Sequence, residues 1–278
     1  MNTINRDAPL VSIVVTTRNE EEAIGKCLES IRRQTYKKTE ILVVDNASGD
    51  RTQQVARQFT NHVFDKGPER SAQRNYGARM AKGYYVLFLD ADMVLSRTVI
   101  EECVRSITRK IHALIIPEKS QGRGFWAKCK ALERTYYEGV GWMEAARFYN
   151  KNTFVSLGGF DVDLTGPEDF DLSQRVIARY GPASISRITS YIYHNEGRII
   201  FWDLLRKKYY YGKKMRRYMN KNENRSAFQK QANPLSRYVL FFQKPAILFS
   251  DPIHAVGMII MKTLELGALA LGTLAGHI

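Results

Sequence analysis

Strand-like and helix-like segments alternate through the first 116 residues, and this alternation limits the chain to a small group of folds. β-Branched runs at Leu10–Thr16 and Glu40–Val44 are typical of buried parallel strands. Between them, apolar residues recur at helical spacing over Glu20–Gln34. Further segments of both kinds follow in turn at Arg51–Phe59, His62–Phe64, Ser71–Met80, Tyr84–Leu89, Thr98–Arg109 and Ala113–Ile116. The order predicts an α/β fold with a mostly parallel, Rossmann-like central sheet and helices on both faces.

Three of the predicted strands end in polar or acidic residues. The first runs into TTRNE at 16–20, the second is followed by Asp45, and YYVLFLDADMV at 84–94 ends in Asp90 and Asp92. In open α/β sheets, ligands bind beyond the carboxyl ends of the strands. Two carboxylates one residue apart can hold a hard divalent cation and leave room for phosphate oxygens, although surface turns contain the same pattern. We therefore expect a ligand site at this edge of the sheet.

The middle of the chain is less regular. Gly124–Tyr137 has a helical pattern, and Ala145–Ser156 is compatible with two short strands. After the glycine turn LGGFD at 157–161, GPEDFDLSQRVIARYG at 166–181 predicts a helix that begins near Asp169 and ends at Gly181. Acidic residues at a helix start also complement the helix dipole without any further role.

Positive charge is concentrated near the C-terminal end. Twelve basic residues and two acids lie between Arg198 and Arg237, so ten of the fourteen net positive charges fall within forty residues. Ile199–Met219 combines aromatic and apolar residues at helical spacing with a basic opposite side, which is typical of an interfacial membrane helix. A surface helix on the core is the alternative. Such asymmetry favours a polyanionic partner.

The last segments are apolar. Tyr238–Phe249 and Ile253–Ala275 are separated by SDP, and Asn220–Asn233 before them is polar and predicts a loop. The final segment is long enough to span a bilayer, but Lys262 and Glu265 would each cost roughly 2.5–3.5 kcal/mol near its centre. Their spacing allows them to pair. We expect interfacial or hairpin helices; the pattern GTLAG at 272–276 is too short to indicate packing by itself.

Five short motifs in one order resemble family 2 glycosyltransferases with the GT-A fold. They are VVTTRNEEEAI, VVDNASGDRT, SAQRNYG, DAD and GPEDFDL, which together cover about Val11 to Tyr180. The resemblance implies nucleotide contacts at Thr16, Arg18, Glu20, Asp45, Arg74 and Asp90.

The same resemblance implies the metal and catalytic residues. Asp90 and Asp92 match the DxD motif, which binds ribose and a divalent cation, Mn²⁺ or Mg²⁺. Glu168 and Asp169 match the ED motif, in which Asp169 is the expected general base. His194 in YIYHNEGR stands where some members carry a metal-ligating histidine, and a structural role is the alternative.

Position along the chain suggests the acceptor side. The segment Trp142–Arg147 and the C-terminal region are expected to handle the acceptor, and Arg198 to contact the diphosphate. LSQRVIARYG lacks the tryptophan of the Q-x-x-R-W motif found in processive synthases, which favours addition of a single sugar.

The predicted activity is an inverting, metal-dependent transfer of one sugar from a UDP or GDP sugar to a hydroxyl, on a lipid-linked glycan. The alternative is a polyprenyl- or dolichyl-phosphate glycosyltransferase for mannose or glucose, but DADMV replaces the usual DADLQ and the ED motif is present. A nucleic-acid-binding or membrane-scaffolding protein would use the basic segment and leave the acidic motifs unexplained. We expect no nucleic acid partner.

Domain boundaries and location follow from these interpretations. Residues 1–197 are predicted to form the catalytic domain, and residues 198–278 a basic amphipathic and apolar helical region that associates with a membrane. Three scattered cysteines and an N-terminus without a signal-peptide pattern favour the cytoplasmic face of the cell membrane. A homo-oligomer formed through the C-terminal helices is an alternative use of the apolar end.

Overall fold

A computed structural model describes residues 8–221, 229–231 and 233–276. The chain forms two compact units. The sheet unit comprises residues up to Ile116 together with Ala146–Val162 and Arg175–Ile192; the helical unit comprises Pro117–Ala145, Asp163–Gln174 and Tyr193–Ile278. The functional division at residue 197 stays a prediction. Most of the loop predicted at Asn220–Asn233 lies outside the described residues.

The strands of the described residues are numbered β1 to β10 in chain order. They are Val11–Thr17, Thr39–Asp45, Val63–Asp65, Tyr85–Asp90, Met93–Leu95, Ala113–Ile115, Glu118–Arg123, Ala146–Asn150, Ile185–Arg187 and Ile192–Arg198. The helices are numbered α1 to α11 in the same way. They are Ile24–Arg32, Thr52–Arg57, Arg70–Met80, Val99–Ser106, Phe125–Tyr137, Lys151–Ser156, Glu168–Tyr180, Phe201–Met219, Pro234–Gln243, Pro245–Ser250 and Pro252–Ala275.

The sheet unit contains a seven-stranded sheet in the order β3-β2-β1-β4-β8-β6-β9. β1 pairs in parallel with both β2 and β4, and β8 runs antiparallel to β4 and β6. β1 is buried along its whole length, as its apolar β-branched sequence requires for a central strand. The predicted α/β fold with a mostly parallel sheet is confirmed.

The register brings three strand ends to one edge. Thr17 lies opposite Asp45 at the end of β2, and Thr16 lies opposite Asp90 at the end of β4. Asp45 in turn lies opposite Asp65 of β3. The polar residues that follow the predicted strands therefore share one end of the sheet.

The prediction of two short strands at Ala145–Ser156 is wrong in its second half. β8 ends at Asn150, and α6 begins at Lys151. The Asn150 side chain accepts hydrogen bonds from the backbone N–H groups of Asn152 and Thr153, which caps the helix. This local cap outweighs the strand propensity of the apolar residues after it. The short strands β5, β7 and β9 are not evident from the sequence.

Close contact between glycines joins two helices of the helical unit. A Cβ atom on Gly212 of α8 would collide with the backbone of α11 at Leu269 and Gly272. Gly272 lies equally close to the backbone of Tyr209, and Gly276 to that of Lys213. The GTLAG pattern thus does mark helix packing, because glycine lets the two backbones approach.

A cluster of buried charges ties α11 to α5. Lys130 Nζ lies 2.8 Å from Glu133 Oε2 and 3.0 Å from Glu265 Oε1. Lys262 Nζ contacts the carboxylates of both Glu133 and Glu265, so the predicted pairing of Lys262 with Glu265 is confirmed. Burial opposes ionisation of Glu133, but the ammonium groups of Lys130 and Lys262 outweigh it and lower the pKa of that carboxyl.

Among the described residues, one helix, α11, is long and apolar enough to cross a membrane. A buried core helix of a soluble protein can have the same length and composition. Its two charged residues, Lys262 and Glu265, are covered by protein.

The charge cluster makes a prediction about stability. Glu265→Leu would remove one of two carboxylates and leave Lys130 and Lys262 buried with too little negative charge. We expect the free energy of unfolding to fall by about 3–5 kcal/mol, measured by urea denaturation.

The control is Glu29→Gln, which removes an exposed pair with Arg33. That loss should stay under about 1 kcal/mol. Equal midpoints for the two variants would contradict a stabilising role for the buried cluster.

Candidate active site

Asp90 is fixed at the end of β4 by donors from two other elements. Arg74 of α3 is fully buried and donates from Nη2 to Asp90 Oδ1 over 2.9 Å. The Thr16 hydroxyl of β1 donates to the same oxygen over 3.0 Å. Arg70, one helical turn before Arg74, lies 3.5 Å from Asp90 Oδ2. The structure therefore brings together three residues predicted separately, and Arg70 is added to them.

Helix α3 explains why Arg70 and Arg74 reach the same carboxylate. Residues four apart lie on one face of a helix. The Arg74 guanidinium also lies over the Phe160 ring, 5.3 Å from its centre. A buried guanidinium needs both a counter-charge and further contacts, and this site supplies them.

Asp92 lies two residues beyond Asp90 at the same strand end. Burial raises the pKa of the Cys27 thiol beneath the site, and the charges of Asp92 and Asp90 raise it further. Both carboxylates thus lie close enough to the Cys27 thiol to disfavour a further negative charge there.

Asp45 shapes the loop that follows β2. It is fully buried, and Ser48 donates to both of its oxygens, over 2.8 Å from the backbone N–H and 2.5 Å from the hydroxyl. Gln53 Nε2 adds a bond of 2.8 Å. The structure thus gives Asp45 an architectural role, and its contact with a nucleobase stays a prediction.

Three non-glycine residues near this sheet edge have left-handed backbone conformations, which the sequence does not reveal. They are Asn19 (φ 53°), Ala47 (φ 49°) and Glu69 (φ 71°), in the segments after β1, β2 and β3. The first two loops are joined, because Asn19 Oδ1 accepts from Gly49 N over 2.9 Å. Such strained positions cluster at ligand sites. Arg18 is exposed in the first loop, and Glu20 is half-buried.

The ED residues lie in the first turn of α7, in the helical unit. Glu168 is buried, and its Oε2 accepts from the backbone N–H of Gly166 over 2.5 Å. Asp169 is half-buried. Glu168 thus holds the loop before α7, and the catalytic roles of Glu168 and Asp169 stay predictions.

His194 lies on β10, which pairs with β7 in a second sheet. Its Nδ1 is 3.5 Å from Glu118 Oε2 on β7. Arg134 of α5 lies 3.8 Å from that same Glu118 oxygen and 3.8 Å from Glu196 Oε1. A carboxylate beside Nδ1 would leave Nε2 as the metal-binding nitrogen. Ligation by His194 itself stays a prediction.

The residues expected on the acceptor side are dispersed. Arg198 is exposed at the end of β10. The Trp142 carbonyl accepts from Gln231 Nε2 over 2.8 Å, within the helical unit. Arg147 is half-buried on β8 of the sheet unit.

The acidic pair fits a metal that is shared with a ligand. Among the described residues, no three His, Cys, Asp or Glu side chains are grouped to hold an ion alone. Mg²⁺ is commonly bound by one or two carboxylates together with substrate phosphates. Asp90 is engaged by Arg70 and Arg74, and metal binding by Asp92 stays a prediction.

A family model described as "Glycosyl transferase family 2" matches residues 12–161. Glycosyltransferase AglE of Haloferax volcanii is 37% identical over 109 residues, which cover 36% of this chain and 36% of that protein. The GalNAc(5)-diNAcBac-PP-undecaprenol β-1,3-glucosyltransferase of Campylobacter jejuni is 33% identical over 94 residues, 30% of each chain. The chain thus matches about a third of the length of these relatives.

Solved structures share the fold. The mannosyltransferase PcManGT of Pyrobaculum calidifontis, in complex with GDP-Man and Mn²⁺, aligns over 96% of this chain and 87% of its own. The TM-score is 0.64 and the identity 18%. Glucosyl-3-phosphoglycerate synthase of Mycobacterium tuberculosis, with Mn²⁺ and UDP, aligns over 74% of this chain and 78% of its own, with a TM-score of 0.54 and 17% identity.

The contacts of two arginines with Asp90 lead to a prediction about stability. Arg74→Met would leave Asp90 without its buried partner, and we expect a loss of about 3–5 kcal/mol in the free energy of unfolding. Arg70→Met is the matched control, because the Arg70 side chain is 39% exposed and contacts the same carboxylate.

For the control we expect a loss under about 1 kcal/mol. Thermal or urea unfolding of both variants measures the difference. Arg74→Met and Arg70→Met with the same stability would contradict the distinct roles assigned to the two residues.

Proposed function

The chain belongs to glycosyl transferase family 2, and from this we propose that it transfers one sugar, with inversion, from a UDP or GDP sugar to a hydroxyl acceptor. The enzyme is a nucleotide-sugar glycosyltransferase with a GT-A type fold. The observation that carries the proposal is the acidic pair at the end of β4, with Asp90 fixed by Arg74 and Asp92 beside it.

We assign the donor to the edge formed by β1, β2 and β4. Asp92, with Asp90, would hold Mn²⁺ or Mg²⁺; the ion would supply positive charge to the departing diphosphate. Arg74 holds Asp90 in place through the contact between Nη2 and Oδ1. Thr16, Arg18, Glu20 and Asp45 belong to the strand ends and loops that would surround the nucleotide.

We assign proton removal to Asp169. An acceptor hydroxyl must lose its proton as it attacks the anomeric carbon, and a positioned carboxylate can accept that proton. Glu168 maintains the loop that precedes α7 and Asp169, by accepting a hydrogen bond from the backbone N–H of Gly166. Donor and acceptor chemistry thus depend on different carboxylates.

The proposed acceptor class is based on the need of a hydroxyl for a base and on the name of one relative. The name of the C. jejuni relative describes a glucosyltransferase acting on a saccharide linked through diphosphate to undecaprenol. A glycan linked to a lipid in this way offers hydroxyl groups and needs a base. A polyprenyl phosphate is the alternative acceptor. It would need no base, because its oxygen is already ionised.

We propose that the helical unit docks on an anionic leaflet at the cytoplasmic face. Trp202 at the start of α8 is 70% exposed, and Ile253 and Val256 of α11 are also exposed. α8 carries exposed Lys213 and Lys214. Apolar side chains beside basic ones are typical of peripheral membrane binding. A second copy of the chain is the alternative partner for the apolar residues.

The base assignment predicts the effect of one substitution. Asp169→Asn keeps the shape of the side chain but removes the base, so transfer to a hydroxyl should slow by about 10²–10⁴-fold. The rate is measured with UDP and GDP sugars and a polyprenyl-diphosphate-linked saccharide. Asp163→Asn, an exposed acid nearby, should stay within about twofold of the unchanged enzyme.

Nearly intact turnover by Asp169→Asn would show that the hydroxyl-acceptor mechanism is wrong. Transfer to polyprenyl phosphate in place of the linked saccharide would favour the alternative acceptor.

Membrane docking predicts dependence on lipid charge. The protein should sediment with vesicles of phosphatidylglycerol and phosphatidylcholine, and less at high salt, since each basic residue near the surface contributes about 1 kcal/mol. Trp202→Ala should weaken binding several-fold. Tyr84→Ala, which changes an aromatic residue that is 54% exposed on the sheet unit, should not.

Equal sedimentation with pure phosphatidylcholine would contradict electrostatic docking. A concentration-dependent dimer, without vesicle binding, would favour the second copy as partner.

A further inference from the structure

The first turn of α7 is held by the residues at the end of α8. Asp171 lies two residues after Asp169 and is fully buried. Lys221, two residues beyond α8, places Nζ 2.8 Å from Asp171 Oδ1. Both residues belong to the helical unit. A buried carboxylate is stable in its charged form only with such compensation.

A second contact from α8 holds the loop before α7. Gly166 has φ +104°, and a Cβ atom there would lie 3.0 Å from the Tyr211 ring. The backbone N–H of Gly166 is the group that donates to Glu168. The loop is therefore packed against α8 and bonded to the residue next to Asp169.

Tyr218 of α8 is a second polar side chain near Asp171. Burial raises the pKa of Tyr218, and the charge of Asp171 raises it further. Tyr218 therefore stays a neutral phenol, and its hydroxyl lies 3.2 Å from Gln231 Oε1. It supplies no positive charge to Asp171, whereas Lys221 does.

We propose that Lys221 is a positioning residue for glycosyl transfer, which acts through Asp171 to hold Asp169 in the first turn of α7. The inference depends on the proposed role of Asp169 as the base. Asp169 and Asp171 share one rigid helical turn, so displacement of one displaces the other. An error of about 1 Å in a reacting group can cost 10²-fold in rate.

The primary test is Lys221→Met, with the transfer rate followed against donor concentration. The value of kcat should fall by about 10²-fold, because the base is displaced. The KM for the sugar nucleotide should stay within about twofold, since Asp90 and Asp92 lie elsewhere in the chain. Lys221→Arg keeps the charge and should restore kcat to within about tenfold of the unchanged enzyme. Lys110→Met, at an exposed position of the sheet unit, is the control for a lost lysine and should leave kcat unchanged.

A double variant covers the case in which Lys221→Met does not fold. Asp171→Asn with Lys221→Met removes both charges, so no charge is left buried alone. It should fold, as circular dichroism can show, and should still have a low kcat, because the tether is missing.

The outcomes separate this inference from the proposed function. If Asp169→Asn abolishes transfer while the folded Lys221 variants keep normal kcat, the positioning role is wrong and the base assignment stands. Loss of kcat together with loss of donor binding would reduce Lys221 to a structural residue and also overturn the inference. Nearly intact turnover by Asp169→Asn would overturn the proposed mechanism itself.

Discussion

Compensation of buried charge is the constraint on which the rest of this structure depends. In the sheet unit, Arg74 meets Asp90 at the end of β4. In the helical unit, lysines meet Glu133, Glu265 and Asp171. Removing one partner of such a pair leaves an uncompensated charge, at a cost of about 3–5 kcal/mol. Each pair therefore fixes the position of the helix or strand that carries it. Asp90, proposed for the donor site, lies on such a strand, and Asp169, the proposed base, lies on such a helix.

The sequence was sufficient for the central strands of the sheet and for the place of their polar ends. Buried β-branched strands and the alternation with helices led to the α/β fold, and the parallel register then put Thr16, Asp45 and Asp90 at one edge. A strand end is a local feature that the sequence displays directly. The pairing of Lys262 with Glu265 was equally accessible, because residues three apart on a helix are neighbours.

Contacts between residues far apart in the sequence could not be predicted from local patterns. Lys130 and Glu133 complete the charge cluster from more than a hundred residues away, and no local pattern connects them with α11. Gly272 allows close packing because it lies against Tyr209 and Gly212, and Gly276 because it lies against Lys213. Asn150 is of a residue type that caps helices, but the apolar residues after it suit a strand as well, so the local sequence alone did not predict α6. The left-handed conformation of Ala47 has no signal in its residue type.

The proposed function requires a nucleotide to be held through a metal ion at the end of β4. Calorimetric titration with UDP and with GDP, in the presence and absence of Mn²⁺, tests this most directly. We expect that one nucleotide binds and that its binding requires Mn²⁺. Asp92→Asn should weaken nucleotide binding at least about tenfold, since a ligand of the ion is lost. Binding of equal strength without the metal, or with Asp92→Asn, would contradict the account.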